Sequence, residues 1–163
     1  MEHKATLSEH TRAVIDAWVA KYPPGRKQSA VLAALTEVQH ENGGYLTTAL
    51  MDRIAAYLDM PPIAVYEAAS FYSMFELKPV GRHSVSVCTN ISCMLRGAEE
   101  LVQHIEKKLK IKTGNSTPDG RIYLKQEEEC LAAWCGAPMM MVDHIYYENL
   151  TVEKIDAILD ALL

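Results

Sequence analysis

Near residues 77–82 the hydrophobic pattern of this 163-residue chain changes period, and that switch constrains the fold more than any other feature. Apolar residues recurring every three or four positions build helices, whereas apolar residues alternating with polar ones build half-buried strands. Before the switch the spacing is helical. Val14, Ala17, Trp18 and Ala20 share one side of a segment that stops before Pro23-Pro24. Ser29 can cap a second helix carrying Leu32, Leu35 and Val38, and Gly43-Gly44 can end it. Thr48 can open a third, with Leu50, Ile54 and Leu58 at spacings of four. Pro61-Pro62 stops that helix and starts a fourth, because proline is tolerated in a first turn; the fourth carries Ile63, Tyr66, Ala69 and Phe71 or Tyr72. Four short helices with tight links predict a small N-terminal helical bundle over residues 1–78.

After Pro79 and Gly81 the pattern alternates. Residues 83–88, His-Ser-Val-Ser-Val-Cys, read as a strand. Residues 94–110 read as one helix with Leu95, Ala98, Leu101, Val102, Ile105 and Leu109 inward, and 114–120 as a loop. Ile122-Tyr123-Leu124 is a second strand. Residues 139–142 and 145–148 are two more, paired as a hairpin around Asp143-His144. Thr151 caps a last helix that turns Val152, Ile155, Leu159 and Leu162 inward. In a strand–helix–strand unit with a right-handed crossover the two strands are parallel. The order β-α-β-β-β-α therefore predicts an α/β chain whose second part, residues 79–163, is a small mixed sheet covered by two helices, the outline of a thioredoxin-like domain.

The four cysteines all lie in that second part, as Cys88, Cys93, Cys130 and Cys135. Cys88 ends the first strand and Cys93 enters the next helix; Cys130 follows the second strand and Cys135 lies in the loop before the third. Parallel neighbours bring their carboxyl ends together, which predicts four thiols at one end of the domain. Met1 to His10 lack the apolar block of a secretory signal, so a reducing cytosolic setting is expected and disulfides are disfavoured. Soft thiolates there select zinc or an iron–sulfur cluster. Zinc permits gaps of this width but mostly staples domains that lack a core. Plant-ferredoxin spacing is absent, since Arg96 stands where its third cysteine would be. A two-iron cluster, zinc, and inert or redox thiols remain open from the residues alone; neither pair has the two-residue gap of a thioredoxin motif.

Charge narrows the partners. Sixteen Lys plus Arg against 21 Asp plus Glu give a net charge of −5, which disfavours nucleic acid. Residues 46–73 could pass for a helix-turn-helix, but Arg53 is their only basic residue. No apolar run approaches a membrane span, so direct membrane insertion is not expected. Dinucleotide and phosphate-loop glycine patterns are missing.

Several spaced motifs then carry a family resemblance. Residues 69–75 (Ala-Ser-Phe-Tyr-Ser-Met-Phe), Pro79 to His83, Cys88 to Gly97, Glu129 to Ala133, Gly136 to Met140 and Tyr147 to Thr151 together resemble the E-subunit family of NADH:quinone oxidoreductase, respiratory complex I, over nearly the whole chain. The resemblance implies a thioredoxin-like [2Fe–2S] protein of the NADH-oxidising module, with Cys88, Cys93, Cys130 and Cys135 as metal ligands. It implies FMN and NADH on a partner subunit, a larger iron–sulfur subunit beside it, single-electron exchange with the flavin, and no substrate site on this chain. It also implies a cytoplasmic location, peripheral on the inner membrane. Related subunits occur in NAD-linked hydrogenases and formate dehydrogenases. The second pair departs from the family: the usual gap is three residues, here it is four, so Trp134 stands at the ligand position and Cys135 one place late. A cluster-deficient structural subunit is the alternative this departure raises.

Three further features have expected roles. Glu127-Glu128-Glu129, before Cys130, would lower a cluster's reduction potential or simply be solvated. The aromatics Tyr66, Phe71, Tyr72 and Phe75 are expected in the core or at a subunit interface. Met139 to Met141 are expected in a buried strand.

Overall fold

A computed structural model of the chain describes residues 6–126 and 130–162, so the expectation for Glu127-Glu128-Glu129 lies outside the described residues. The chain divides into two compact units, Met1–Pro79 and Val80–Leu163.

The first unit holds α1 (Glu9–Val19), a single 3-10 turn (Lys27–Ala30), α2 (Val31–Glu41), α3 (Thr48–Tyr57) and α4 (Pro62–Phe71). Ser8 caps α1 by accepting from the Thr11 N–H at 3.0 Å, and Thr47, one residue before the expected position, caps α3. Ser29 does not cap α2; it lies inside the 3-10 turn. Ile15, Ala34, Leu35, Ile54, Leu58 and Val65 are fully buried and form the core. The buried stripe of α1 is Thr11 and Ile15, continued by Leu7, not the Trp18 side. Thr11 hides the stripe in the sequence because it is polar; its hydroxyl donates to the Glu41 carboxylate, which makes its burial tolerable. Trp18 is 39% exposed, with the Lys21 ammonium 3.4 Å from its ring centroid. In α4, Val65 and Ala69 face inward while Ile63 and Phe71 are exposed. That helix is apolar nearly all round, so its sequence does not name a face. Phe75 is buried, and Tyr72 is exposed. Buried Gln39 donates to Met74 O at 3.0 Å and accepts from the Glu76 N–H at 2.8 Å, fastening the segment after α4 onto α2.

The second unit runs β1 (His83–Val87), α5 (Ile91–Met94), α6 (Ala98–Leu109), β2 (Asn115–Ser116), β3 (Ile122–Lys125), a 3-10 turn (Trp134–Gly136), β4 (Met140–Val142), β5 (Ile145–Tyr147) and α7 (Val152–Ala161). The sheet order is β2-β3-β1-β4-β5. β1 pairs with β3 in parallel, His83 opposite Ile122, and with β4 antiparallel, Val87 opposite Met140. Val85, Ile105, Ile122, Leu124, Met140, Ile155 and Leu159 fill the core between sheet and helices. Thr151 caps α7, accepting from the Lys154 N–H at 3.3 Å, but Val152, in the first turn, is exposed rather than inward. This is the thioredoxin-like arrangement expected, with three differences in detail. The helix foreseen over residues 94–110 is broken at Gly97, whose φ of +81° is left-handed and cheap only for glycine, and Leu95 is left 76% exposed. β2 adds an edge strand of two residues inside the expected loop. Val102 and Leu109 are only partly buried.

Two contacts in this unit lead to tests. Gly81 donates its N–H to Ser116 Oγ at 2.9 Å, and a Cβ on it would stand 2.5 Å from the Ile122 carbonyl carbon. The substitution Gly81→Ala must push backbone against backbone and should cost about 1–3 kcal/mol, read from the urea midpoint; an unchanged midpoint would contradict the close approach. The Lys112 ammonium, helped by Thr113, holds the Glu106 carboxyl down to about 2 from 4.5. A carboxylate depressed on folding adds stability that is complete above pH 4.5 and is lost as pH falls toward 2. Glu106→Gln should therefore flatten the acid limb of a stability-versus-pH curve over that window and leave its neutral limb in shape.

Candidate metal centre

Parallel pairing places the carboxyl ends of β1 and β3 side by side, and the thiols follow from there. Cys88 is the residue after β1; its N–H donates to Met139 O at 3.1 Å, which ties it to the start of β4. The chain then turns at Asn90, whose side-chain oxygen accepts from the Ile91 N–H at 2.9 Å, and enters the short α5 that carries Cys93. Both thiols are buried, packed with Ala98, Ala137 and Met139. Burial, and then the neighbouring Cys88 thiol, push Cys93 up to about 11.

Cys130 arrives from the other side, on the segment after β3. It is half-buried, and Leu131 and Ala133 beside it pack on the same small cluster. Two donors face its sulfur. The Ala132 N–H lies 3.4 Å away and the Trp134 indole N–H 3.0 Å away, and together they hold its thiol below the usual range. Ala132 has a φ of +63°, a left-handed conformation that costs an alanine about 1 kcal/mol or more and that redirects the chain after it toward Trp134. The following 3-10 turn is pinned: the Gly136 N–H donates to Ala133 O at 3.0 Å, and the Asn149 N–H donates to Gly136 O at 2.6 Å. Arg96, from the bend between α5 and α6, donates to Ala137 O at 3.1 Å and links the two cysteine segments.

Cys88, Cys93 and Cys130 line one cavity of about 320 Å³, with Asn90, Ile91, Ser92 and Trp134 completing its wall. Cys135 is exposed and is not part of that wall. The four cysteines are all free thiols. Among the described residues, no three His, Cys, Asp or Glu side chains already converge on a point as a single metal ion requires. The three thiols instead surround a space, and their soft sulfur chemistry and apolar packing fit an iron–sulfur group larger than one ion. The sequence reading missed Trp134 as a donor to sulfur; its signal is an indole, which can only donate, four residues after a cysteine. It also missed Asn90, Ser92 and Arg96, which shape the pocket without carrying its chemistry. The exposed side chains of Ile91, Met94, Leu95 and Trp134 lie along the two cysteine segments.

Comparison with known proteins agrees with this geometry. A family model described as thioredoxin-like [2Fe–2S] ferredoxin matches residues 15–163. The E subunit of NADH-quinone oxidoreductase of Rickettsia bellii (strain RML369-C) is 43% identical over 144 residues, covering 88% of this chain and 86% of that protein. NADH dehydrogenase [ubiquinone] flavoprotein 2, mitochondrial, of Dictyostelium discoideum is 38% identical over 148 residues, covering 91% of this chain but only 60% of that one. An NAD+-reducing [NiFe]-hydrogenase in the air-oxidized state superposes with a TM-score of 0.69 at 23% identity, covering 81% of this chain and 22% of that chain, a likeness of fold alone. With a match spanning both units and three thiols around one cavity, the chain belongs to the thioredoxin-like [2Fe–2S] ferredoxin family.

Proposed function

We propose that this chain is the iron–sulfur electron-carrier subunit of the NADH-oxidising module of an NADH–quinone oxidoreductase. The observation that carries this reading is the cavity shared by Cys88, Cys93 and Cys130, reached from two stretches of backbone that the parallel β1–β3 pair brings together. The likeness to the Rickettsia bellii E subunit over 86% of its length supports the assignment of the complex. When bound, the [2Fe–2S] group supplies a site that takes up and gives back one electron. Cys88, Cys93 and Cys130 hold it from this chain, and Cys135 is the remaining thiol nearby. Ala98, Ala137 and Met139 keep water from its inner side and lower the local dielectric. The indole of Trp134 and the N–H of Ala132 offset the negative charge on the Cys130 sulfur.

FMN and NADH bind a partner subunit, with a larger iron–sulfur subunit alongside; no substrate site is needed here. The apolar side chains of Ile91, Met94, Leu95 and Trp134 offer a rim on which the flavin-bearing partner docks. No helix among the described residues is long and apolar enough to cross a membrane, and the subunit works at the cytoplasmic face of the inner membrane through its complex. The helical residues 1–78 and the sheet-bearing residues 79–163 act as two domains.

The protein purified without oxygen should be red-brown, and dithionite should bleach its visible absorption. Cys88→Ser should remove most of the iron. A colourless preparation with about one zinc per chain would end this reading. The flavoprotein that co-purifies with the chain should carry NADH dehydrogenase activity.

A further inference from the structure

Three thiols and one indole line the pocket. Trp134 is part of the pocket wall and donates its N–H to Cys130 Sγ at 3.0 Å. Cys135, the next residue, is exposed and outside the wall. The turn that carries both is fastened at three places: Gly136 N–H to Ala133 O at 3.0 Å, Asn149 N–H to Gly136 O at 2.6 Å, and Arg96 to Ala137 O at 3.1 Å. Gly136 is also packed against the Glu148 side chain, whose carboxyl would stand 2.3 Å from a Cβ at that position. Bringing Cys135 into the pocket would break the turn and the indole-to-sulfur bond together. The other wall residues, Asn90, Ile91 and Ser92, are neutral and offer neither thiolate, carboxylate nor imidazole.

Resting on the function proposed above, we infer that this chain grips its iron–sulfur group with three thiolates only, that Trp134 is a positioning residue holding the Cys130 sulfur, and that one coordination position is left to a small exogenous thiol. The incoming thiol would displace a solvent molecule from that position and give its proton to bulk water as its sulfur binds, so neither oxidant nor reductant is consumed. Hydrogen bonding to a ligand sulfur favours the more negative reduced state and raises the reduction potential.

The test uses the full chain, loaded anaerobically with ferrous iron and sulfide and then freed of thiol. Iron, acid-labile sulfide, the electron paramagnetic resonance of the dithionite-reduced protein and its midpoint potential are measured, with and without 2-mercaptoethanol or glutathione. The unaltered protein and Cys135→Ser should each hold about two irons, give the same signal, and shift it when either thiol is added. Cys130→Ser should lose most of the iron. Trp134→Phe, which keeps a ring but removes the N–H, should retain iron and show a lower midpoint potential. Trp134→Cys should give a signal that added thiol does not move. In the loaded protein Cys135 should still react with iodoacetamide. Loss of iron from Cys135→Ser to the level of Cys130→Ser with unchanged circular dichroism, protection of Cys135 from alkylation, or a native signal indifferent to thiol each overturns the inference. An empty native protein beside a loaded Trp134→Cys overturns the three-thiolate grip and the electron-carrier role of this chain together, leaving only its family membership standing, whereas a loaded native protein that loses its iron on Cys135→Ser overturns the grip alone. If neither loads, the proposed function itself fails and this inference with it.

Discussion

The parallel pairing of β1 with β3 is the interaction on which the thiol pocket depends. The two cysteine pairs are separated by 36 residues of sequence, too far for any local turn to join them. A parallel pair joined through α6 starts both strands at one edge of the sheet and ends both at the other, so the segments that leave β1 and β3 emerge as neighbours. The core beneath, Val85, Ile122 and Leu124 against Ile105, Ile155 and Leu159, holds that pairing in register. A shift of one residue would turn those apolar side chains to the wrong face. Hydrophobic burial in the sheet thus fixes where sulfur meets sulfur, and the loops need only finish the approach.

Within the pocket, two chemical environments coexist. Cys93 is held among apolar groups beside another thiol, which favours its neutral form. Cys130 sits nearer solvent with two N–H donors on its sulfur, which favours the thiolate. A thiol gives up its proton when it binds a metal, and burial opposes that loss at Cys93 more than at Cys130.

Much of this fold was legible in the sequence. The helix starts at Pro62 and Thr151, the stripe Leu35–Val38, the alternation over residues 83–88 and the hairpin at Asp143-His144 are local signals, set by capping, proline geometry and side-chain period. The features that were not legible depend on partners distant in sequence. Thr11 belongs to the buried face of α1 because Glu41, thirty residues on, accepts its hydroxyl. Gly97 breaks a helix whose apolar spacing runs on through it, and β2 exists as a strand because β3 is there to pair with it. The site shows the same division. Cysteine type and spacing narrowed the chemistry to a cluster, zinc or free thiols, and the family resemblance pointed to the cluster, but the conformation of residues 130–136 determines that Trp134 rather than Cys135 reaches the cavity wall, and that path is set by backbone bonds to Ala133 and from Asn149 and by the Arg96 side chain.

The Asp143-His144 turn reaches further than its size suggests. Both residues have positive φ, at 47° and 69°, which gives the tight reversal between β4 and β5 and sets Met140 opposite Tyr147 and Val142 opposite Ile145. Met140 and Val142 are buried while Met141 is half-buried. One residue gained or lost at this bend would shift β5 against β4, and because Asp143 also donates its N–H to Ser84 O at 3.1 Å the strain would reach β1 and the Cys88 that follows it. Length variation at a surface hairpin would then perturb cofactor retention from a distance, with every cysteine still in place.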